Sequence, residues 1–176
     1  MLWAIVGMLF VLLGFVGAAI LVGLAMPKGH RATSRIMLSA SREAVWDTLA
    51  DFDRHHTWRP DVKRTERRTD VEGRPAWTEH NRFGPLPMVV ELAEPPSRMV
   101  TRIIDEGMPF GGSWTYELSD SDGGTEVRIT EDGVVYNPIF RFVSRFVMGH
   151  HGTMDGYLTN LGRKLGTDGP PEHVGG

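Results

Sequence analysis

Residues 40–62 read ASREAVWDTLADFDRHHTWRPDV, and the fold turns on this stretch. Ser41 is a helix-capping type, whose hydroxyl accepts from a backbone N–H of the first turn. Behind it, Arg42–Asp51 sets Val45, Trp46 and Leu49 on one face, the pattern of a short amphipathic helix. Asp51–Trp58 predicts a second short helix or turn, stopped before Pro60 because proline pushes the preceding residue out of helical conformation. Upstream, Ser34–Ser39 alternates Ile36 and Leu38 with polar neighbours, as a half-buried strand does. Downstream come six short apolar-alternating runs: Val62–Thr69, Ala76–Phe83, Pro87–Ala93, Arg98–Asp105, Gly111–Leu118 and Thr125–Val135. Turn residues such as Glu72-Gly73, Gly84-Pro85 and Asp122-Gly123-Gly124 punctuate them, which indicates an antiparallel meander.

Asn137-Pro138 then opens a long helical pattern to Leu165, with proline in its first turn. Ile139, Val143, Phe146, His150, Met154, Tyr157, Leu158, Leu161 and Leu165 form its apolar stripe. Gly149, Gly152, Gly156 and Gly162 each cost about 1 kcal/mol against alanine in a helix interior. Either the helix approaches the sheet closely, or space is left for a ligand, or the helix breaks near Gly149–Gly152. A long amphipathic helix following a curved antiparallel sheet buries its stripe across the concave face. The expectation is an α+β fold of about seven strands wrapped on a C-terminal helix, with two short helices after the first strand.

The N-terminus is of another kind. Met1–Met26 holds 22 apolar residues and four glycines, with no charge. As a helix it reaches about 39 Å, enough for a hydrocarbon core of about 30 Å with some tilt. A cleaved signal peptide is the competing reading, but that normally has a basic leader and an apolar core of about 7–15 residues. Lys28, Arg31 and Arg35 follow the segment and no Lys or Arg precedes it, so the positive-inside bias puts the domain in the cytoplasm, at the inner membrane. Gly14-x-x-x-Ala18 and Ala19-x-x-x-Gly23 fit the small-residue pattern of packed transmembrane helices. Gly14 and Ala18 are therefore candidates for contact with a membrane complex or a second copy. The expected division is an anchor over 1–26, a linker over 27–33, one domain over 34–165 and a disordered tail over 166–176.

Composition narrows the function. The 176 residues include no cysteine, so disulfides, thiolate metal sites and cysteine nucleophiles are excluded. Nineteen basic and 22 acidic residues give a net charge of −3, without the electrostatic footprint of a nucleic-acid binder. HExxH, GxSxG, P-loop and GxGxxG motifs are missing, which counts against protease, α/β-hydrolase and nucleotide-dependent classes.

The arrangement resembles the SRPBCC superfamily, the START-like, birch-pollen-allergen-like helix-grip domains, and within it the bacterial polyketide cyclase/dehydrase-and-lipid-transport branch. Val45-Trp46…Leu49-Ala50-Asp51-Phe52 with Trp58-x-Pro60, Ile129-Thr130-Glu131-Asp132-Gly133 and Asn137-Pro138-Ile139-Phe140-Arg141-Phe142 carry the likeness, which covers about Thr33–Leu165. The resemblance implies an apolar cavity between sheet and helix that accepts a hydrophobic small molecule. The superfamily includes both carriers and enzymes, so activity stays open. No cofactor is expected.

Strand alternation predicts the cavity lining. Trp77, Met88, Val90, Met99, Trp114, Tyr116 and Ile129 face inward, with Phe146, His150 and Met154 from the helix. Glu79 and Glu131 continue the same phase inward. A carboxyl facing an apolar cavity has a raised pKa and suits proton transfer, so Glu79, Glu131 and His150 are the catalytic candidates. The histidines lack three or four convergent ligands, so no metal is expected. Arg54, Arg59, Lys63, Arg64, Arg67 and Arg68 form a basic stretch able to face anionic headgroups or simply water.

Overall fold

The computed structural model describes residues 2–82, 84–104 and 107–175. Met1 and the expected strand ends at Phe83 and Asp105 lie outside them. Helix α1 (Leu2–Ala25) leads into strand β1 (Gly29–Leu38), then α2 (Arg42–Ala50), a 3-10 turn (Phe52–Arg54) and α3 (His55–Trp58). Six strands follow: β2 (Val62–Arg67), β3 (Ala76–Asn81), β4 (Gly84–Glu94), β5 (Arg98–Ile103), β6 (Phe110–Ser121) and β7 (Gly124–Val135). The chain closes with α4 (Pro138–Val143), a π turn (Ser144–Met148), α5 (Gly152–Lys164) and β8 (Glu172–His173). The strands make one antiparallel sheet ordered β2-β3-β4-β5-β6-β7-β1-β8. This is the helix-grip α+β fold.

Local chemistry explains the elements. Ser41 Oγ accepts from the Ala44 N–H at 3.3 Å, capping α2, which buries Val45 and Leu49. Helix α5 lays Met154, Tyr157, Leu158 and Leu161 onto the sheet, each at most 4% exposed. Burial of each such side chain is worth about 1.5–3 kcal/mol. They meet Leu38, Met99, Tyr116, Leu118, Val127 and Ile129 in one core.

Several boundaries differ from expectation. The linker expected over 27–33 shortens, because β1 begins at Gly29 and pairs with β7 from Gly29↔Val134 onward. The tail expected to be disordered over 166–176 returns to the sheet. Ser34↔His173 and Arg35↔Glu172 pair, the Arg35 guanidinium donates to Glu172 Oε2, and the Val174 N–H donates to the Thr33 carbonyl. In β4 a register shift between Val90 and Leu92 breaks simple alternation, so both Val89 and Val90 are buried. The basic stretch also breaks up: Arg59 is 8% exposed, while Arg54, Arg64 and Arg67 pair with Asp51, Glu66 and Asp70.

The long C-terminal helix is two helices. After the π turn, Gly149 takes φ +72°, a left-handed conformation that stops helical hydrogen bonding, and α5 starts afresh at Gly152. The first half turns to α1. Gly23 abuts the Pro138 carbonyl with no room for a Cβ, Ala19 is 6% exposed, and the Phe15 and Phe142 rings meet edge-on at 6.3 Å. Arg141, 5% exposed, donates to the carbonyls of Gly23 (2.6 Å), Met26 (3.0 Å), Val135 (3.1 Å) and Tyr136 (3.2 Å). The rest of α1 is bare: Trp3, Met8, Phe10, Val11, Leu13 and Leu21 are 66–85% exposed. Over Ile5–Ala25 it is long and apolar enough to cross a bilayer.

Candidate ligand-binding site

Between the sheet and α5 runs a continuous band of aromatic and charged side chains with Tyr157 at its centre. Trp58, Trp114, Tyr116 and His55 surround the Tyr157 ring at centroid distances of 5.3, 5.6, 5.8 and 6.3 Å. The Arg59 guanidinium lies 4.9 Å over its face. Burial raises the pKa of both Tyr116 and Tyr157, with the Glu79 charge adding to it and the Arg59 charge opposing it, so both phenols are neutral. Arg59 Nε, Thr101 Oγ1 and Tyr157 OH are buried without a hydrogen bond among the described residues.

The deep end of the band is an ion cluster. Glu79 Oε1 accepts from Arg59 (2.8 Å), from His55 Nδ1 (3.0 Å) and more weakly from Trp77 Nε1 (3.4 Å). His55 Nε2 lies 3.0 Å from the Leu49 carbonyl, which fixes the ring between the two partners. Burial alone would push the Glu79 carboxyl up. The His55 bond and the Arg59 charge outweigh it and hold the pKa at about 2. Asp61 completes the Arg59 fork at 2.7 Å. Glu79 is thus a fixed anion, a poor proton acceptor at neutral pH.

The outer end lies where the C-terminal helix breaks. Glu131 Oε1 accepts from His30 Nε2 and Oε2 from Trp114 Nε1, each at 3.0 Å. The His150 ring stacks on His30 at 4.0 Å. Burial, then the His30 ring and the Arg145 charge, lower the His150 pKa, against the opposing pull of Glu131. Gly133, opposite His30 in the β1–β7 register, makes this possible. A Cβ there would strike the His30 imidazole. His30 and Glu131 keep 16% and 21% of their side chains exposed, so this end reaches solvent, whereas Glu79 and His55 are sealed and only Asp61 of their cluster is open to water.

Of the expected lining, Trp77, Val90, Met99, Tyr116, Ile129 and Met154 sit in the core, with Met88 and Trp114 packed against it. Phe146 does not join them. It is 62% exposed and rests on Phe142 at 5.0 Å, because the π turn carries it off the sheet with α4. Glu79 and Glu131 both point inward but at opposite ends of the band. Two cavities of about 430 and 250 Å³ lie elsewhere, under residues 167–171, and involve none of these groups. The sequence places Arg59 only in a basic surface stretch and His55 only among the histidines, and His30 carries no sequence signal of its own. His55 and Arg59 stand four residues apart ahead of Pro60, a helical spacing that aims both at one partner.

One group of metal-binding composition stands outside the band: His151, Asp155 and His173, with ligand atoms within 4.8 Å. Their bonding closes without an ion. Ser34 Oγ donates to Asp155 Oδ1 at 2.8 Å and lies 3.2 Å from His151 Nδ1, while His173 donates to Asp155 Oδ2 at 2.8 Å. The two imidazoles stack at 3.8 Å.

The family described as polyketide cyclase / dehydrase and lipid transport matches residues 29–166. No curated protein matches the chain. Among solved structures, a START superfamily protein from Mycobacterium smegmatis is similar at TM-score 0.63 and 15% identity, over 78% of this chain and 97% of that one. The Zhui aromatase/cyclase from Streptomyces sp. R1128 gives TM-score 0.64 at 14% identity, over 78% of this chain and 94% of its own. The di-domain aromatase/cyclase StfQ of the steffimycin biosynthetic pathway gives 0.63 at 12%, with this chain spanning 51% of its length. Identities this low establish the fold alone. Together with the match over 29–166, they make this chain a member of the SRPBCC polyketide cyclase/dehydrase and lipid transport family.

Proposed function

We propose that the protein is a membrane-tethered module that binds a hydrophobic small molecule, of lipid, quinone, isoprenoid or polyketide-like character, between the sheet and α5. The observation that carries this reading is the outer end of the band, where the aromatic interior meets Glu131, His30 and His150 at the helix break. An apolar interior with a few convergent polar groups is the usual make-up of a small-molecule site. The expected pocket residues Trp77, Met88, Val90, Met99, Trp114, Tyr116, Ile129 and Met154 supply the apolar wall. The buried Arg59 Nε offers a donor to a polar group of the guest. Tethering by α1, with the domain on the cytoplasmic side, raises the local concentration of a guest that partitions into the bilayer. The bonds from Arg141 to the end of α1 support a retained anchor rather than a cleaved leader.

The test is mass spectrometry of small molecules retained by the full chain after extraction from membranes. A hydrophobic compound is expected, and it is lost in Tyr157→Ala. A reproducibly empty protein overturns the reading.

A cyclase or dehydratase activity is the second reading, favoured by the His30–Glu131 pair beneath His150, a polar trio facing an apolar interior. Once a guest is known, chemical change of it by the wild type and not by Glu131→Gln supports this reading. Unchanged turnover in that variant removes it.

A further inference from the structure

Residues 138–149 leave the sheet, with α4 beside α1 and the π turn continuing from it, and the chain returns at His150. Along this excursion Phe146 and Ile139 stand 62% and 42% exposed, and Phe142 packs against Phe15 of α1. Phe15 lies ten residues before Ala25, about 15 Å along the helix. That is half of a hydrocarbon core of about 30 Å. The excursion thus starts level with Gly23, near the end of α1, and reaches a level deep within a leaflet that α1 crosses.

Its polar groups fit that surrounding. Backbone and side-chain donors in lipid must be satisfied internally. Asn137 caps the Phe140 N–H at 3.0 Å, Ser144 Oγ donates to the Arg141 carbonyl at 3.1 Å, and Arg141 spends its donors on four carbonyls. Two of those carbonyls, of Gly23 and Met26, belong to the last turn of α1, where a helix leaves acceptors unpaired. Arg145 is the other charge in the segment. It is exposed, four residues before Gly149 ends the excursion. A long, exposed basic side chain at that place can snorkel to the headgroups.

We propose that α4 and its π turn form a second membrane-embedded element, dipping into the leaflet beside α1 without crossing it, with lipid acyl chains as the occupant of its exposed Phe146–Ile139 face. The domain is then seated on the bilayer rather than hung from it, and the His30–Glu131–His150 end of the band opens at the headgroup level. This deepens the functional reading above and rests on α1 being an anchor.

A cysteine-free chain makes the test direct. Phe146→Cys, Leu13→Cys and Asp122→Cys are each labelled with a polarity-sensitive fluorophore in the full chain, in vesicles of phosphatidylethanolamine and phosphatidylglycerol. Leu13 and Phe146 are largely exposed, so neither change disturbs packing. The expected result is quenching at 146 by acyl-chain doxyl lipid and loss of iodide quenching, as at 13, while 122 keeps iodide quenching. Lipid contact at 13 with iodide access at 146 overturns the embedded segment and leaves the anchor standing. Iodide access at both overturns the anchor as well. Shielding of 146 from both quenchers assigns its face to a protein partner and also overturns the proposal.

Discussion

Glu79 concentrates three donors on one buried oxygen, and removal of its charge weakens all three bonds. In Glu79→Gln the Arg59 guanidinium keeps only Asp61 as an anionic partner. Breaking a buried ion pair from one side costs about 3–5 kcal/mol, to be read as a fall in the urea midpoint of unfolding. The same carboxyl sets an acid limit. Its folded pKa of about 2 lies below the ordinary 4.5, so its contribution is complete above about pH 4.5 and is lost as pH falls toward 2. The acid limb of the stability curve should flatten in Glu79→Gln. At the outer end the balance is different. Glu131→Gln alters a group that keeps 21% of its side chain exposed, so a change within about 1 kcal/mol is expected, with any effect confined to guest binding. Alternation along the strands made the inward phase of both carboxyls legible. It could not tell a locked anion from a solvent-touching one, because that depends on His55, Arg59 and His30 arriving from distant segments.

Among the elements, the C-terminal helix departs most from its sequence pattern. A single apolar stripe runs from Ile139 to Leu165, yet its first half is recruited by α1 and its second by the sheet. Periodicity reports that a face is apolar and is silent on which surface covers it. The glycines did carry the information, since Gly149 takes the φ +72° that ends the first half. The small-residue spacing of α1 was legible in the same partial way. Ala19 and Gly23 pack within the chain, whereas Gly14 and Ala18, offered to an outside partner, stay exposed with open space at Gly14. Gly23→Leu should therefore separate α1 from α4, because its side chain has only the Pro138 backbone to meet. Cross-linking of a Phe15→Cys/Phe142→Cys pair by a bismaleimide that bridges about the 6.3 Å ring spacing is expected in the parent and lost when Gly23→Leu is added.

At the scale of the whole molecule, order in the sheet brings chain ends together. The first strand sits between β7 and the terminal β8, so the segment after α1 and the last residues share one edge. That edge was hidden from sequence because Glu172 and His173 occupy a Gly/Pro-rich tail, and distant partners such as Arg35, Asp155 and His151 give them a place. The likeness to the family, by contrast, was visible from Trp46, Trp58-x-Pro60 and Asn137-Pro138 before any coordinates, since these mark the fixed corners of the grip.

The arginine at 141 also imposes an order in time. Ribosomes deliver α1 first, and the chain must grow by about 113 further residues before Pro138 can meet Gly23. At roughly 5–20 residues per second, this interval lasts on the order of 6–20 s. Throughout it the last carbonyls of α1 lack their guanidinium. Docking of the two ends is thus a late event of biosynthesis, available only to a polypeptide whose meander has already been made.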